Sequence, residues 1–173
     1  MAADLVARYA VSSACSHAEF LAAAKLYARA VADRHDLSVS VGDLDWKVST
    51  RAKRRAGAVH HRDGDPERIT LAWRQFENEG WVATAATVRH ELVHVHLLAE
   101  DGDASHGPAF RQLAEDLDTH VRCERFTPPA FWVICTDCDA RIARYRRSKI
   151  VESPERYQCG DCGGRLRVEE VEE

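Results

Sequence analysis

The chain has 173 residues, 45% of them apolar and 30% charged, with a formal net charge of −4. That length can bury one sizeable core beside a small appended module, and the acidic balance excludes a protein that coats nucleic acid over its whole surface. No run reaches the ~18 apolar residues a membrane span needs. The opening MAADLVARYAVSS has an early Asp4 and no basic segment ahead of a sustained apolar stretch, so a cytoplasmic protein with no membrane partner is expected.

In chain order, Ser16 followed by Glu19 is a capping-box signature. Behind it Phe20, Ala23, Ala24, Tyr27, Ala28 and Val31 recur at helical spacing, which predicts an amphipathic helix over 17–34. Segments 44–49, 56–61 and 68–73 have strand character, and Asp63-Gly64-Asp65-Pro66 between the last two is turn chemistry. A small antiparallel sheet follows, with Ile69-Thr70-Leu71 near one end of the strand series. Residues 81–99 are apolar nearly all round, the mark of a central, buried helix. A polar loop over 100–105 leads to Gly107-Pro108, which opens a further helix with Phe110, Leu113, Ala114, Leu117 and Val121 as its apolar stripe. Thr127-Pro128-Pro129 breaks that pattern and divides a domain over 1–127 from one over 128–173. Strand-like runs over 131–134 and 165–168 and an acidic tail from Glu169 complete the chain.

His90-Glu91-Leu92-Val93-His94 is an HExxH sequence inside the central helix. Four helical residues turn through about 400°, so both imidazoles project from nearly one side and can reach one metal ion. Glu91 lies about 100° round from His90 and can face the same cleft as a general base acting on an activated water. Catalytic zinc takes three protein ligands. Leu97 and Glu100 stand where a metzincin needs glycine and histidine, and there is no internal methionine for a Met-turn. Glu115 and His106 remain as third ligands.

Cys135-x-x-Cys138 and Cys159-x-x-Cys162 are separated by twenty residues, a zinc-ribbon spacing that predicts a closed structural zinc site of four cysteines. Cys15 and Cys123 read as small buried hydrophobes. Arginine outnumbers lysine twenty to four, and it concentrates at Arg51–Arg55 and again over 141–149. The second cluster, with Tyr145 interleaved, suits phosphate contact and base stacking on an exposed hairpin.

HELVH, an acidic glycine-containing loop and HGPAF together resemble the SprT-like zinc metallopeptidases, a family that includes the DNA-dependent protease Spartan. The resemblance covers about residues 15–168, and Arg54-Arg55-Ala56-Gly57 and Ile69-Thr70-Leu71 are similar to the family's sheet. It implies His90, His94 and His106 as ligands of a catalytic zinc and Glu91 as the catalytic residue, with Cys135, Cys138, Cys159 and Cys162 holding a structural zinc. The implied fold is α+β: a zincin-like catalytic domain of N-terminal helix, small antiparallel sheet, HExxH helix and following helix, then a four-cysteine zinc β-ribbon. The implied substrates are proteins or peptides, including proteins trapped on or crosslinked to single-stranded or other DNA. Arg54, Arg55, Arg144, Tyr145, Arg146 and Arg147 are the candidate nucleic-acid contacts. An extended substrate would pair with an exposed sheet edge near 69–73. The rival reading is a zinc-ribbon nucleic-acid-binding protein whose HExxH site is vestigial or structural. His96 points away from His94 and is set aside, while His60, His61 and His120 could line the cleft but are expected at surface or core-edge positions.

Overall fold

The computed structural model describes residues 2–122 and 126–171. Cys123 and the last two glutamates of the acidic tail lie outside the described residues. The chain forms two compact units, Met1–Thr127 and Pro128–Glu173.

The first unit begins with α1 (Ala2–Arg8) and α2 (His17–His35). Ser16 caps α2 reciprocally: its hydroxyl accepts from the Glu19 amide at 3.2 Å, and Glu19 accepts from the Ser16 amide at 2.7 Å. Two of the four donors orphaned at a helix start are thereby satisfied. Phe20, Ala24, Tyr27, Ala28 and Val31 form the buried face of α2.

Strands β1 (Asp45–Ser49), β2 (Gly57–Arg62) and β3 (Asp65–Ala72) follow. Asp63 and Gly64 both take positive φ, 52° and 95°, the two-residue turn whose twist matches a hairpin. That turn makes β2 antiparallel to β3, but β1 runs parallel to β3 on its other side, in the order β1-β3-β2. The sheet is therefore mixed, not antiparallel. Segment 50–56 reverses the chain and carries it past β3, so β1 and β2 oppose each other across a central strand. Ile69 pairs with both Trp46 and Val59, and Trp73 already belongs to the next helix. The edge expected near 69–73 does not exist; the edges are β1 and β2.

Helix α3 spans Trp73–Asp101 with a break at Gly80 (φ 76°, ψ −167°), a conformation that costs glycine little and other residues much. The sequence anticipates only the portion after the break. Residues 73–79 make too few turns for periodicity to show; the rings of Trp73 and Phe76 pack on Phe20. Beyond Gly80, Val88, Leu92 and Val93 are fully buried at the centre of the core. Pro108 occupies the first turn of α4 (Pro108–Asp116). Val121 lies beyond that helix and packs partly buried against the core, so the apolar stripe is shorter than the sequence suggests.

In the second unit β4 (Phe131–Cys135) lies between β5 (Arg141–Arg144) and β6 (Leu166–Glu170), antiparallel to both. A short helix α5 (Lys149–Glu152) and a 3-10 turn precede β6. Its buried cluster is small: Phe131, Val133, Cys135, Val151, Cys159 and Leu166. The basic run starts in β5, passes through bends and enters α5 at Lys149, so only its first residues belong to a hairpin. Among the described residues no helix is long and apolar enough to cross a membrane.

Candidate metal centres

Three imidazoles converge beside the C-terminal half of α3. His90 and His94 come from α3, and His106 comes from the segment just ahead of α4. One nitrogen of each lies within 4.8 Å of the others. His94 and His106 bring their Nε2 atoms to 3.0 Å, close to the ~3.3 Å edge of a tetrahedron with 2.0–2.1 Å metal–nitrogen bonds. His90 Nδ1 donates to the backbone carbonyl of His120 at 2.7 Å. A carbonyl only accepts, so Nδ1 carries the proton and Nε2 keeps its lone pair, the arrangement found in metal-ligating histidines. Phe110, fully buried, sits against all three rings at centroid distances of 4.9, 4.6 and 4.4 Å.

The electrostatics favour neutral ligands. Burial lowers His90 below the usual histidine value and takes His94 down to about 4, helped by the neighbouring imidazoles. His106 is lowered by desolvation and then by Arg122. Three neutral nitrogen donors in one small space suit a borderline-soft divalent ion. Glu115, exposed on the far part of α4, stands outside the cluster.

Glu91 is 3% exposed and faces the cleft rather than the core. Burial pushes its carboxyl up to about 8, opposed by the Arg55 charge and by a hydrogen bond from the Val59 amide. Positive charge placed among the imidazoles would act in the same direction as Arg55 and return Glu91 to its ionised form. Gly57 of β2 packs directly on Glu91, with no room for a side chain. The cleft encloses about 420 Å³, bounded by β2 residues Gly57, Val59 and His61, by Arg54 and Arg55, and by the three imidazoles with Glu91. A second cavity of about 280 Å³ shares His90 and is lined by Glu79, Thr87 and His120 among others.

Four thiols converge in the second unit. Cys135 and Cys162 are 3.5 Å apart at sulfur and Cys138 and Cys159 are 3.7 Å apart, near the ~3.8 Å expected for four sulfurs at 2.3 Å from one ion. Backbone amides of Asp137 and Cys138 lower the Cys135 thiol to about 7, while the crowding of neighbouring sulfurs raises Cys138 and takes Cys162 up to about 12. Gly164 leaves space for Asp137, whose carboxylate would lie 2.6 Å from a Cβ there.

The six candidate nucleic-acid residues divide between the two units, Arg54 and Arg55 in the first and Arg144, Tyr145, Arg146 and Arg147 in the second. Arg54 and Arg55 line the histidine cleft. Arg144 ends β5, and Arg146 is exposed. Arg147 stacks 5.3 Å over Phe131 and pairs with Glu170 at 3.5 Å, so part of its role is local to the ribbon-like sheet. Tyr145 is half-buried. His61 lines the cleft, and His120 contributes its carbonyl. His96 accepts from the Ser38 amide at 3.0 Å, a structural role. Sequence reasoning misses the parts played by Phe110 and the His120 carbonyl. Only the phenylalanine of HGPAF carries a signal that could have found one of them.

Comparison with known proteins agrees with the residues. The SprT-like family model matches residues 22–129. A protein named SprT-like from Streptococcus sanguinis is 28% identical over 141 residues, covering 76% of this chain and 92% of its own length. Another from Streptococcus suis is 29% identical, covering 69% of this chain and 81% of its own. A third, from Bacillus cereus, is 30% identical over 57% of this chain and 66% of its own. With an α+β architecture, a three-histidine group at the HExxH helix and a match over more than half its length, the chain belongs to the SprT-like family.

Proposed function

We propose that the protein is a zinc-dependent metallopeptidase with a zincin-like first unit and a zinc-ribbon second unit. The observation that carries this reading is the placement of Glu91: a buried carboxyl opening into the same cleft as three convergent, neutral imidazoles. His90, His94 and His106 would hold the catalytic zinc, and the four cysteines a structural one. When bound, zinc supplies Lewis acidity towards a carbonyl and lowers the pKa of water from 15.7 to roughly 7.

Glu91 accepts a proton from the attacking water and returns it to the leaving amine. The Val59 amide and the Arg55 charge oppose the effect of burial on its carboxyl, and a cation held by the imidazoles would complete its ionisation. An extended substrate lies along β2, the edge strand that borders the cleft, where main-chain hydrogen bonding is indifferent to sequence. Arg54 and Arg55 make that cleft cationic. The preferred substrates under this reading are proteins held on or crosslinked to DNA, with arginines of both units supplying phosphate contacts.

The test is cleavage of a DNA-bound protein, with and without single-stranded DNA, by wild type and Glu91→Gln. Cleavage by wild type alone, reduced about 10²–10⁴-fold in the variant, supports the peptidase. Dependence on DNA supports the substrate class. If both proteins bind zinc and DNA and neither cuts, the protein is a nucleic-acid-binding module with a vestigial site.

A further inference from the structure

Arg89 precedes the HExxH sequence and is only 6% exposed, although a buried guanidinium costs more to desolvate than an apolar side chain of similar volume. Its contacts say what it does there. Nε and Nη2 both donate to the carbonyl of Asp118, at 3.2 and 2.7 Å, and Nη1 donates to the Tyr27 hydroxyl of α2. Asp118 takes a left-handed conformation at φ 52° and closes α4 in a Schellman end, its amide bonding the Glu115 carbonyl at 3.0 Å and the Thr119 amide bonding the Ala114 carbonyl at 2.8 Å. The next residue is tied as well: the Thr119 hydroxyl donates to the Ala86 carbonyl at 2.6 Å. The residue after that is His120, whose carbonyl receives His90 Nδ1. Three consecutive residues are thus anchored to α3 at Arg89, Ala86 and His90.

We propose that Arg89 is a positioning residue for the histidine cluster: its forked grip on Asp118, seconded by Thr119, sets the His120 carbonyl that fixes the tautomer and ring angle of His90. The guanidinium suits this task because its donors have a fixed planar geometry and never deprotonate. A backbone carbonyl on an unanchored loop would leave His90 free to rotate and to exchange tautomers, and a ligand so loosened binds metal less well. The inference builds on the reading of the cluster as a zinc site, but the tautomer it concerns exists with or without the ion.

The test uses the full chain with zinc as the probe, and compares wild type with Arg89→Met, Arg89→Lys and Thr119→Val. Two quantities are read: zinc affinity of the histidine site, isolated from the cysteine site by reference to His94→Ala, and the 15N signals of the His90 ring. Arg89→Met is expected to weaken zinc about 10- to 100-fold and to move His90 from the Nδ1–H form to a mixture of tautomers, leaving the cysteine site unchanged. Arg89→Lys, which keeps the charge but loses the fork, and Thr119→Val should shift both readouts in the same direction by less. These two carry the test if Arg89→Met does not fold. Folded variants with a lower Tm but unchanged zinc affinity and an unchanged Nδ1–H signal would overturn the proposal. If wild type binds no more zinc than His94→Ala, the zinc reading fails instead, and the His90 signals of the metal-free variants still decide the role of Arg89.

Discussion

Gly57 and Glu91 are in contact so close that a Cβ on the glycine would stand 2.5 Å from Oε1 and 2.8 Å from Cγ of the glutamate. The backbone of Gly57 needs no special conformation, since its φ is not positive; the requirement is space alone. The same missing atom would also lie 2.8 Å from the Thr87 methyl, four residues before Glu91 on the same helix face. Gly57→Ala must therefore displace either the edge strand or the base. Loss of about 10²-fold in peptide cleavage is expected, the scale of a 1 Å misplacement, with zinc stoichiometry unchanged. Parallel activity and metal assays check it, and equal activity would show that the contact relaxes freely.

Phe110 tests the support beneath the imidazoles. It is fully buried against all three, so Phe110→Ala should cost about 3–5 kcal/mol in unfolding free energy. It should also weaken zinc at the histidine site, because a cavity there frees the rings. Denaturant unfolding and zinc titration measure the two effects, and Phe110→Leu should recover most of the first.

The α2 cap gives a pH signature. Hydrogen bonds from the Ser16 amide and hydroxyl lower Glu19 below its usual value. A carboxylate with a depressed folded-state pKa contributes stability that is fully present above its unfolded value, near 4.5, and is lost as pH falls through the lower folded one. Wild type should lose stability over that acid window more than Glu19→Gln does. Ser16→Ala should cost about 1 kcal/mol at neutral pH. Thermal unfolding between pH 3 and 7 is the measurement.

The second unit should depend on its metal. Six buried residues, two of them cysteines, make up its core cluster, too little to order some 45 residues unaided. Chelation or Cys135→Ser should open this unit to protease while the first unit stays resistant. Limited proteolysis of the full chain, with fragments identified by mass, would show it; equal resistance of both units would not fit.

The sequence makes some of this legible because certain physics is local. A capping box, a 3.6-residue period and paired CxxC knuckles are each complete within a few residues, and so is the shared helix face of His90 and His94. What escapes depends on distant parts of the chain. Nothing in 44–73 says that β1 passes to the far side of β3, so the sequence alone suggests an antiparallel sheet with its free edge on the wrong strand. Residues 73–79 turn too few times to show a period. The His120 carbonyl has no residue-type signature, because every residue carries one. Arg89 reads from sequence as one more charge on a helix.

The edge strand lies thirty-odd positions before the base it abuts, whereas the three imidazoles of His90, His94 and His106 fall within 16 positions of each other. Local contacts form early in folding and distant ones late. A chain whose α3–α4 region has condensed while the β2–β3 hairpin has not docked can already gather its three nitrogens, yet its carboxyl lacks the Val59 amide and the wall of the cleft. Metal capture and hydrolytic competence would then arise in succession during folding. Under the proposed metallopeptidase reading, the nascent protein would pass through a loaded but inert stage before its hydrolytic site was complete.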